Sequence, residues 1–562
     1  MSVKSLIRKN SRFEEVALPL KEGMAPSNGH VLTYVTANSQ WENVAPGAGG
    51  GQTLYDIVIT RSDYASDALA GEALKTALET NGNKTIYITA GTYDIGNNNI
   101  HVADSFVRII GEHSFYTGYH SGSQSNSVVI ISSKNSGNIF DLTPANSLDA
   151  STTKYIENIQ VYFSATSTSA RYGFVNAGTY ATKQIWKNCS VENYNTTYDT
   201  GFLGNSATTW LSWCLRCSVK SGQYGFKYIT GGLQDCFVNT IGTSAYYYCN
   251  RLVNCVAQDY VSTIDNYIFN HCEVLINCKF VNHTITSGRN TKYMFYFCTD
   301  LVNCKGEASE GGGSTKFTSN HATKSYNGAT GAFFGCDRLS NCYVSGEITN
   351  NYRYGSGPEY EYTESASYDY CTNLSNCVSE ATIQDYMENY GSVNGNCHFF
   401  MCKNVSNCKA KLIHKTNYYA QTGFGGFSVG LLADSYNLSN CQVIFNHGNV
   451  ALDVPIGFDY CEQLSNCEVR VISTDFWTEN HGYGFNHCNG VSNCKVLGAG
   501  TVNTRFAKGF YDCKDVVNCY CENVATCYDT CKGNLNSYGA GVTIADTGCT
   551  QKTAFNTSVP RA

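Results

Sequence analysis

Three glutamates, Glu359, Glu361 and Glu364, fall within six residues in Pro358-Glu-Tyr-Glu-Tyr-Thr-Glu364. Paired carboxylates suit glycoside cleavage, one as acid and the other as base or nucleophile. They are candidate catalytic groups, and the competing reading is a solvated acidic loop. Tyrosines surround them: Tyr352 and Tyr354 in Asn351-Tyr-Arg-Tyr354, Tyr360 and Tyr362 between the glutamates, and Tyr418-Tyr419 in a later loop. Planar rings stack on the C–H face of a pyranose while polar neighbours bond its hydroxyls. These six tyrosines are the candidate ligand-binding residues for a surface glycan. The alternative is that their loops pack on the molecule itself or on a neighbouring subunit. The 12 histidines show no metal-binding spacing of the His-x-x-Glu-His kind. No Ser/His/Asp set, phosphate loop or nucleotide fingerprint stands out, so no cofactor is expected.

The 28 cysteines invite a metal, but zinc sites use short spacings of the Cys-x-x-Cys kind. Here the pattern is Cys-x-x-[Leu/Val]-x-Asn-Cys, nine times between Cys249 and Cys519. No metal is expected from it. One copy is degenerate, with Ser435 before Asn440-Cys441, and Cys521 to Cys527 reads as a further copy with Thr526 in place of asparagine. Weaker versions precede the run at Asn158, Asn188-Cys189, Cys217 and Asp235-Cys236. The second cysteines are Cys255, Cys278, Cys304, Cys342, Cys377, Cys408, Cys441, Cys467, Cys494 and Cys519, at intervals of 23 to 38 residues. A fixed motif at variable spacing implies a constant coil carrying one loop of variable length. A helical solenoid would show a 3.6-residue period, and none is seen.

Each coil then reads as three short strands. The first puts a Phe inward, as in Gly457-Phe-Asp-Tyr-Cys461, and bends at the first cysteine. The second carries Leu or Val inward. Asparagine turns the next corner, since it tolerates left-handed geometry, and the third strand places Cys-x-Val inward. The predicted ladder asparagines are Asn254, Asn277, Asn303, Asn341, Asn376, Asn407, Asn440, Asn466, Asn493 and Asn518. The cysteines are expected to stack as small buried thiols. His271 and His487 precede ladder cysteines and read as wall residues.

The bulk numbers agree. A chain of 562 residues exceeds one compact core. Charged residues are 15%, with 52 Gly, 41 Tyr and 27 Phe, which favours β-structure in a one-dimensional repeat. The net charge is -7 with no basic run, against nucleic acid as a partner. No apolar stretch is long enough to span a membrane, so no insertion is expected. The start lacks the apolar core of a signal peptide. Synthesis in a reducing cytoplasm is therefore the expectation, with the cysteines as thiols.

Residues 66–79 read as an amphipathic helix with Leu69, Ala73, Leu74, Ala77 and Leu78 on one face. Strands follow around Ala90-Gly91 and at Phe106–Gly111 and Val128–Ile131. The pair Ile88-Thr-Ala-Gly-Thr-Tyr93 and Arg108-Ile-Ile-Gly111, after a helix, resembles the opening of pectate-lyase-like proteins. That resemblance implies an all-β, right-handed parallel β-helix solenoid with an N-terminal capping helix. It carries over no catalytic residue, because the lyases' calcium-binding acids and catalytic Arg have no match here. Asn28-Gly-His-Val-Leu-Thr-Tyr with Trp41-Glu-Asn-Val-Ala-Pro46 resembles a segment of phage tail fibres and tailspikes near their attachment end.

The expected layout is an attachment segment and Gly-rich linker at 1–55, a capping helix and first coils at 56–150, a Cys/Asn-ladder β-helix at 151–545, and a tail at 546–562. The tail-fibre resemblance implies a structural and host-recognition component of a phage or phage-like particle. It would dock on baseplate or tail proteins through its N-terminus, form a homo-oligomer (a trimer by that parallel) and contact surface polysaccharide. Two alternatives stay open: a polysaccharide lyase or glycoside hydrolase on the same fold, and a purely structural particle component.

Overall fold

The structure is a computed structural model. It describes the strands Val3–Lys9, Arg12–Leu18, Val31–Val35 and Gln40–Val44 by their backbone. It also describes residues 55–540 except Phe106 and the segments 113–126, 145–152, 166–168, 178–182, 193–198, 207–211, 261–265, 283–291, 309–315, 322–329, 353–364, 388–395, 414–423, 429–436, 447–454, 473–481, 499–505 and 534–535. The chain divides into Met1–Ile57 and Val58–Ala562. In the first unit Val3–Lys9 pairs antiparallel with Arg12–Leu18, and Val31–Val35 with Gln40–Val44, setting Tyr34 opposite Trp41.

The second unit opens with helix α1, Asp67–Thr80. Ser66 caps it, its hydroxyl accepting from the Leu69 N–H at 3.2 Å. The buried face is Ala70, Gly71, Leu74 and Leu78. This corrects the expected stripe: Leu69 is 52% exposed. The reason is Gly71, where a Cβ would meet the Asp94 carbonyl oxygen at 2.1 Å. The helix backbone lies against strand Gly91–Asp94 there, and that contact turns the 70–74–78 row inward.

Lys84–Ile88 and Gly91–Asp94 do not pair with each other. The first pairs parallel with Val107–Gly111 and the second with Val128–Ser132. They are successive sides of one coil. All strand pairings among the described residues of this unit are parallel, each strand bonding to its counterpart one coil on. The fold is an all-β parallel β-helix, with a single α-helix among the described residues, at its start.

One coil consists of Asn266–Asn270, Glu273–Ile276 and Lys279–Asn282, here called the aromatic, leucine and cysteine strands. Phe269, Leu275, Cys278 and Phe280 point inward and are fully buried. The aromatic rings form one internal file. Phe269 stacks on Tyr246 at 4.8 Å and on Phe295 at 4.7 Å, close to the strand spacing itself. Where tyrosine takes a place in the file, its hydroxyl finds backbone. Tyr246 donates to the Cys236 or Val256 carbonyl, and Tyr368 to that of Cys342 or Val378.

Among the described residues the coils from Tyr248 to Asn518 turn at three left-handed corners, where the sequence suggested a bend at the first cysteine and a left-handed turn at the asparagine; the earlier coils keep the last corner, at Asn158, Asn188, Arg216 and Asp235. The first is the residue before the first cysteine, including Tyr248, His271, Phe297, Tyr370, Tyr460 and His487. The second lies two after that cysteine, including Arg251, Val274, Asp300, Arg338 and Asn373. The third is the ladder asparagine, with φ between 52° and 55° at all ten positions. The two additional corners were hard to read because no single residue type marks them: Tyr, His, Phe and Met share the first, and Arg, Val, Asp, Asn and Gln the second.

Among the described residues twenty-four cysteines are free and buried. Cys278 shows their bonding: its thiol lies 3.5 Å from the Leu252 carbonyl of the preceding coil and 3.7 Å from that of Ile276. Sulfur also accepts. The Cys377 N–H points at the Cys408 sulfur at 3.4 Å, and in the last full coil the Cys519 N–H finds the Ser537 hydroxyl instead. Cys521 and Cys527 are joined by a disulfide, so that stretch is not a further copy of the motif. Cys521 sits on the cysteine strand Tyr520–Glu522 and Cys527 on the aromatic strand Val524–Asp529. The corner cysteine of that coil is Cys531, behind Thr530 at φ 56°, and the coil continues to strand Tyr538–Ala540.

Candidate functional site

Of the residues singled out for chemistry, Tyr354, Tyr360, Tyr362, Tyr418, Tyr419, Glu359, Glu361 and Glu364 lie outside the described residues. Tyr352 is not in a loop. It ends the strand Tyr343–Tyr352, in register with Met387 on one side and His321 on the other. The segment 353–364 joins that strand to the aromatic strand Ser365–Asp369, and 414–423 likewise leads into Phe424–Ser428. Both segments therefore enter at the starting ends of aromatic strands. The first corner lies at the other end, a strand of five residues away, or roughly 15 Å.

That first corner carries what the sequence reading missed. Tyr248 is 43% exposed, Phe297 44% and Tyr370 47%. Their rings form a row on the outside of the β-helix. Tyr248 stacks on His271 at 4.6 Å and His271 on Phe297 at 5.5 Å. Gly335 interrupts the row with φ 58°, and the Phe297 ring covers it, 2.6 Å from where a Cβ would stand. Beside the row, half-buried Tyr224, Tyr247, Tyr267, Tyr296 and Phe334 widen the face: Tyr267 stacks on Tyr296, and Tyr296 on Phe334 at 5.4 Å. A second short row pairs Tyr460 with His487 at 4.7 Å. The signal was present as an aromatic or His immediately before six of the nine first cysteines. It was hidden because His271 and His487 were read as wall residues and the Tyr and Phe at the same position were not singled out.

The remaining ladder residues are placed plainly. All ten second cysteines are buried, and all ten asparagines are exposed. The amides bond along the stack: Asn277 donates to Asn254 at 3.1 Å and Asn303 to Asn277 at 3.2 Å, while Asn254 donates to the Asp235 carboxylate at 3.0 Å.

The electrostatics of the aromatic face favour contact over proton transfer. Burial holds the His271 pKa below its ordinary value, so the ring sits neutral in its row. At the neighbouring corner Arg338 donates to both Asp300 oxygens, which holds that carboxyl below the usual range. An ionised, paired carboxylate is a poor general acid. Among the described residues no group of His, Cys, Asp and Glu could hold a metal ion. No helix among them is long and apolar enough to cross a membrane.

No family model matches the chain, and no curated protein matches it either. Among solved structures, the A-module of Azotobacter vinelandii mannuronan C-5 epimerase AlgE6 covers 89% of this chain and 100% of its own length, at 10% identity and a TM-score of 0.24. The A-module of the epimerase AlgE4 from the same organism covers 90% and 100%, at 10% identity and a TM-score of 0.23. At such scores neither comparison bears on activity, and the fold rests on the coil-by-coil register described above.

Proposed function

We propose that this chain is a structural and host-recognition component of a phage or phage-like particle, whose β-helix presents an aromatic face to surface glycans. The observation that carries the glycan part is the exposed row Tyr248–His271–Phe297 on stacked corners. Flat rings held about one strand spacing apart offer sugar-sized apolar contact at little entropic cost. The Tyr-rich segments 353–364 and 414–423, which lead into later aromatic strands, would extend that contact. The particle part is supported by the tail-fibre resemblance of residues 28–46. By the same parallel we propose attachment to baseplate or tail proteins through the N-terminal unit, and a homotrimer.

The test is incubation of the purified protein with host-type surface polysaccharides, following binding and the release of new sugar ends. Binding without release is the expected outcome, with Tyr248→Ala weakening it roughly tenfold. Release of new ends would replace this reading with a polysaccharide-degrading enzyme and direct mutagenesis to Glu359, Glu361 and Glu364. Absence of both would leave the purely structural component.

A further inference from the structure

Lys227 ends the strand Ser218–Lys227 at the foot of the aromatic row. Its ammonium lies 4.3 Å from the Tyr224 ring centroid, 5.3 Å from that of Tyr228 and 5.2 Å from that of Tyr247. Three rings thus hold one half-buried cation. Tyr228 leads on to the exposed Tyr248, with ring centroids 5.9 Å apart. Among the described residues no carboxylate lies within ion-pair distance of Lys227.

The same β-helix contains the completed version of this arrangement. Lys508 sits 3.8 Å from the Tyr511 ring and 5.5 Å from that of Tyr483, and there Asp529 supplies a carboxylate at 2.8 Å. One tyrosine–lysine cluster carries its own anion and the other does not. Rings alone replace only part of an ammonium's hydration, and burial already disfavours the charged form of Lys227. An acceptor from outside would complete the shell, as Asp529 does for Lys508.

We propose that Lys227, with Tyr224, Tyr228, Tyr247 and Tyr248, forms a subsite for a negatively charged sugar. The anionic substituent sits on the Lys227 ammonium, and the ring of the same or the next residue lies against Tyr248. This rests on the glycan-binding reading above and adds a charge requirement at one place on the face.

The experiment measures binding of the full chain to three soluble polymers: neutral dextran, dextran sulfate and alginate, a carboxylate polymer. Wild type is expected to bind the two anionic polymers more tightly than dextran. Lys227→Met keeps the stem and removes the charge, and should weaken anionic binding roughly tenfold while leaving dextran unchanged. Lys227→Arg should retain most of it. Sulfate and carboxylate polymers distinguish the sources of the anion. If Lys227→Met binds both anionic polymers like wild type while Tyr248→Ala lowers all binding, the subsite is wrong and the glycan face stands. If wild type binds none of the three, both fall. Lys508→Met is the control: its cluster is already neutralised, and a loss equal to that of Lys227→Met would also overturn the assignment.

Discussion

Residues 84–235 and residues 236–531 wind the same kind of coil around different interiors. In the later coils one solution repeats: a Phe or Tyr, two cysteines, and a Leu or Val. In the earlier coils each level is solved separately. Trp186 lies fully buried on a leucine strand. Lys154 is buried too, donating to the Val102 and Leu142 carbonyls at 3.1 and 2.9 Å, and burial pulls its pKa to about 8. Arg171 and Asp199 form a fully buried ion pair, with the guanidinium also bonded to the Lys134 and Ala165 carbonyls and 4.3 Å from the Phe163 ring. The difference shows what the cysteine supplies. A thiol is small and apolar enough to stack at every level. It still donates to a carbonyl and accepts an N–H where the left-handed corner leaves inward-facing backbone. The earlier coils meet similar needs with long charged side chains, each fitted to one place.

Alkali should act on the two interiors mainly through their thiols, with Lys154 of the earlier coils opposing it. Burial raises the pKa of Cys214 to about 12 and moves Cys461, Cys488 and Cys513 upward likewise, while hydrogen bonds with neighbouring thiols pull Cys255, Cys298, Cys304, Cys371, Cys377 and Cys467 down. A folded pKa above the unfolded value of about 8.5 means that the unfolded chain loses its protons first. Stability is therefore complete below about pH 8.5 and is lost as pH rises, by about 1.4 kcal/mol per pH unit for each thiol once well above that pH. Only Cys189, Cys214 and Cys217 of the 24 free thiols lie before residue 236. Lys154 has the opposite sign: its folded pKa lies below the unfolded value, so stability rises between pH 8 and about 10.4, by about 3 kcal/mol in all. One lysine cannot offset the thiols whose pKa values are raised. The β-signal in circular dichroism, in reducing buffer, should collapse between about pH 9 and 10. A signal unchanged at about pH 10.5 would mean that the thiols are not protonated core residues.

Next in size is the ion pair of the earlier coils. Asp199→Asn leaves the Arg171 charge buried without its partner and should cost about 3–5 kcal/mol in urea unfolding. The double change Arg171→Met with Asp199→Leu should recover most of that loss, since a buried pair is worth little over apolar packing. If the single and double variants lose equally, Arg171 is held mainly by its backbone carbonyls and not by Asp199.

These contrasts also mark what could be read from residues alone. The coil, its inward Phe, Leu and Cys, and the left-handed asparagine were legible because one residue type recurs at one spacing. The outer aromatic row was not. Its positions are filled by Tyr, His, Phe, Gly and Met in turn, and the left-handed φ that brings them outside is a property of backbone, not of residue type. The Arg171–Asp199 pair spans 28 residues with no motif at either end, so only the stacking of coils brings them together. The helix stripe was misassigned because a single glycine contact, at Gly71, overrides the apolar count.

The smallest effect tests the corners directly. Val274 holds φ 56° at a second corner, a conformation that a β-branched side chain strongly disfavours. Asparagine occupies the same corner in later coils, at Asn373, Asn404 and Asn437, and there the amides bond along the stack. Asn404 donates to Asn373 at 2.9 Å, and Asn437 to Asn404 at 3.4 Å. Val274→Asn should therefore stabilise the protein, by about 1 kcal/mol, seen as a higher urea midpoint at unchanged slope. Asn277→Val, three residues on at the third corner, moves the same side chains the other way. It should cost at least as much, because it also breaks the bonds to Asn254 and from Asn303. If both substitutions prove destabilising, Val274 must be retained for packing that outweighs its backbone strain. The second corner would then be fixed by its neighbours and not by the residue that occupies it.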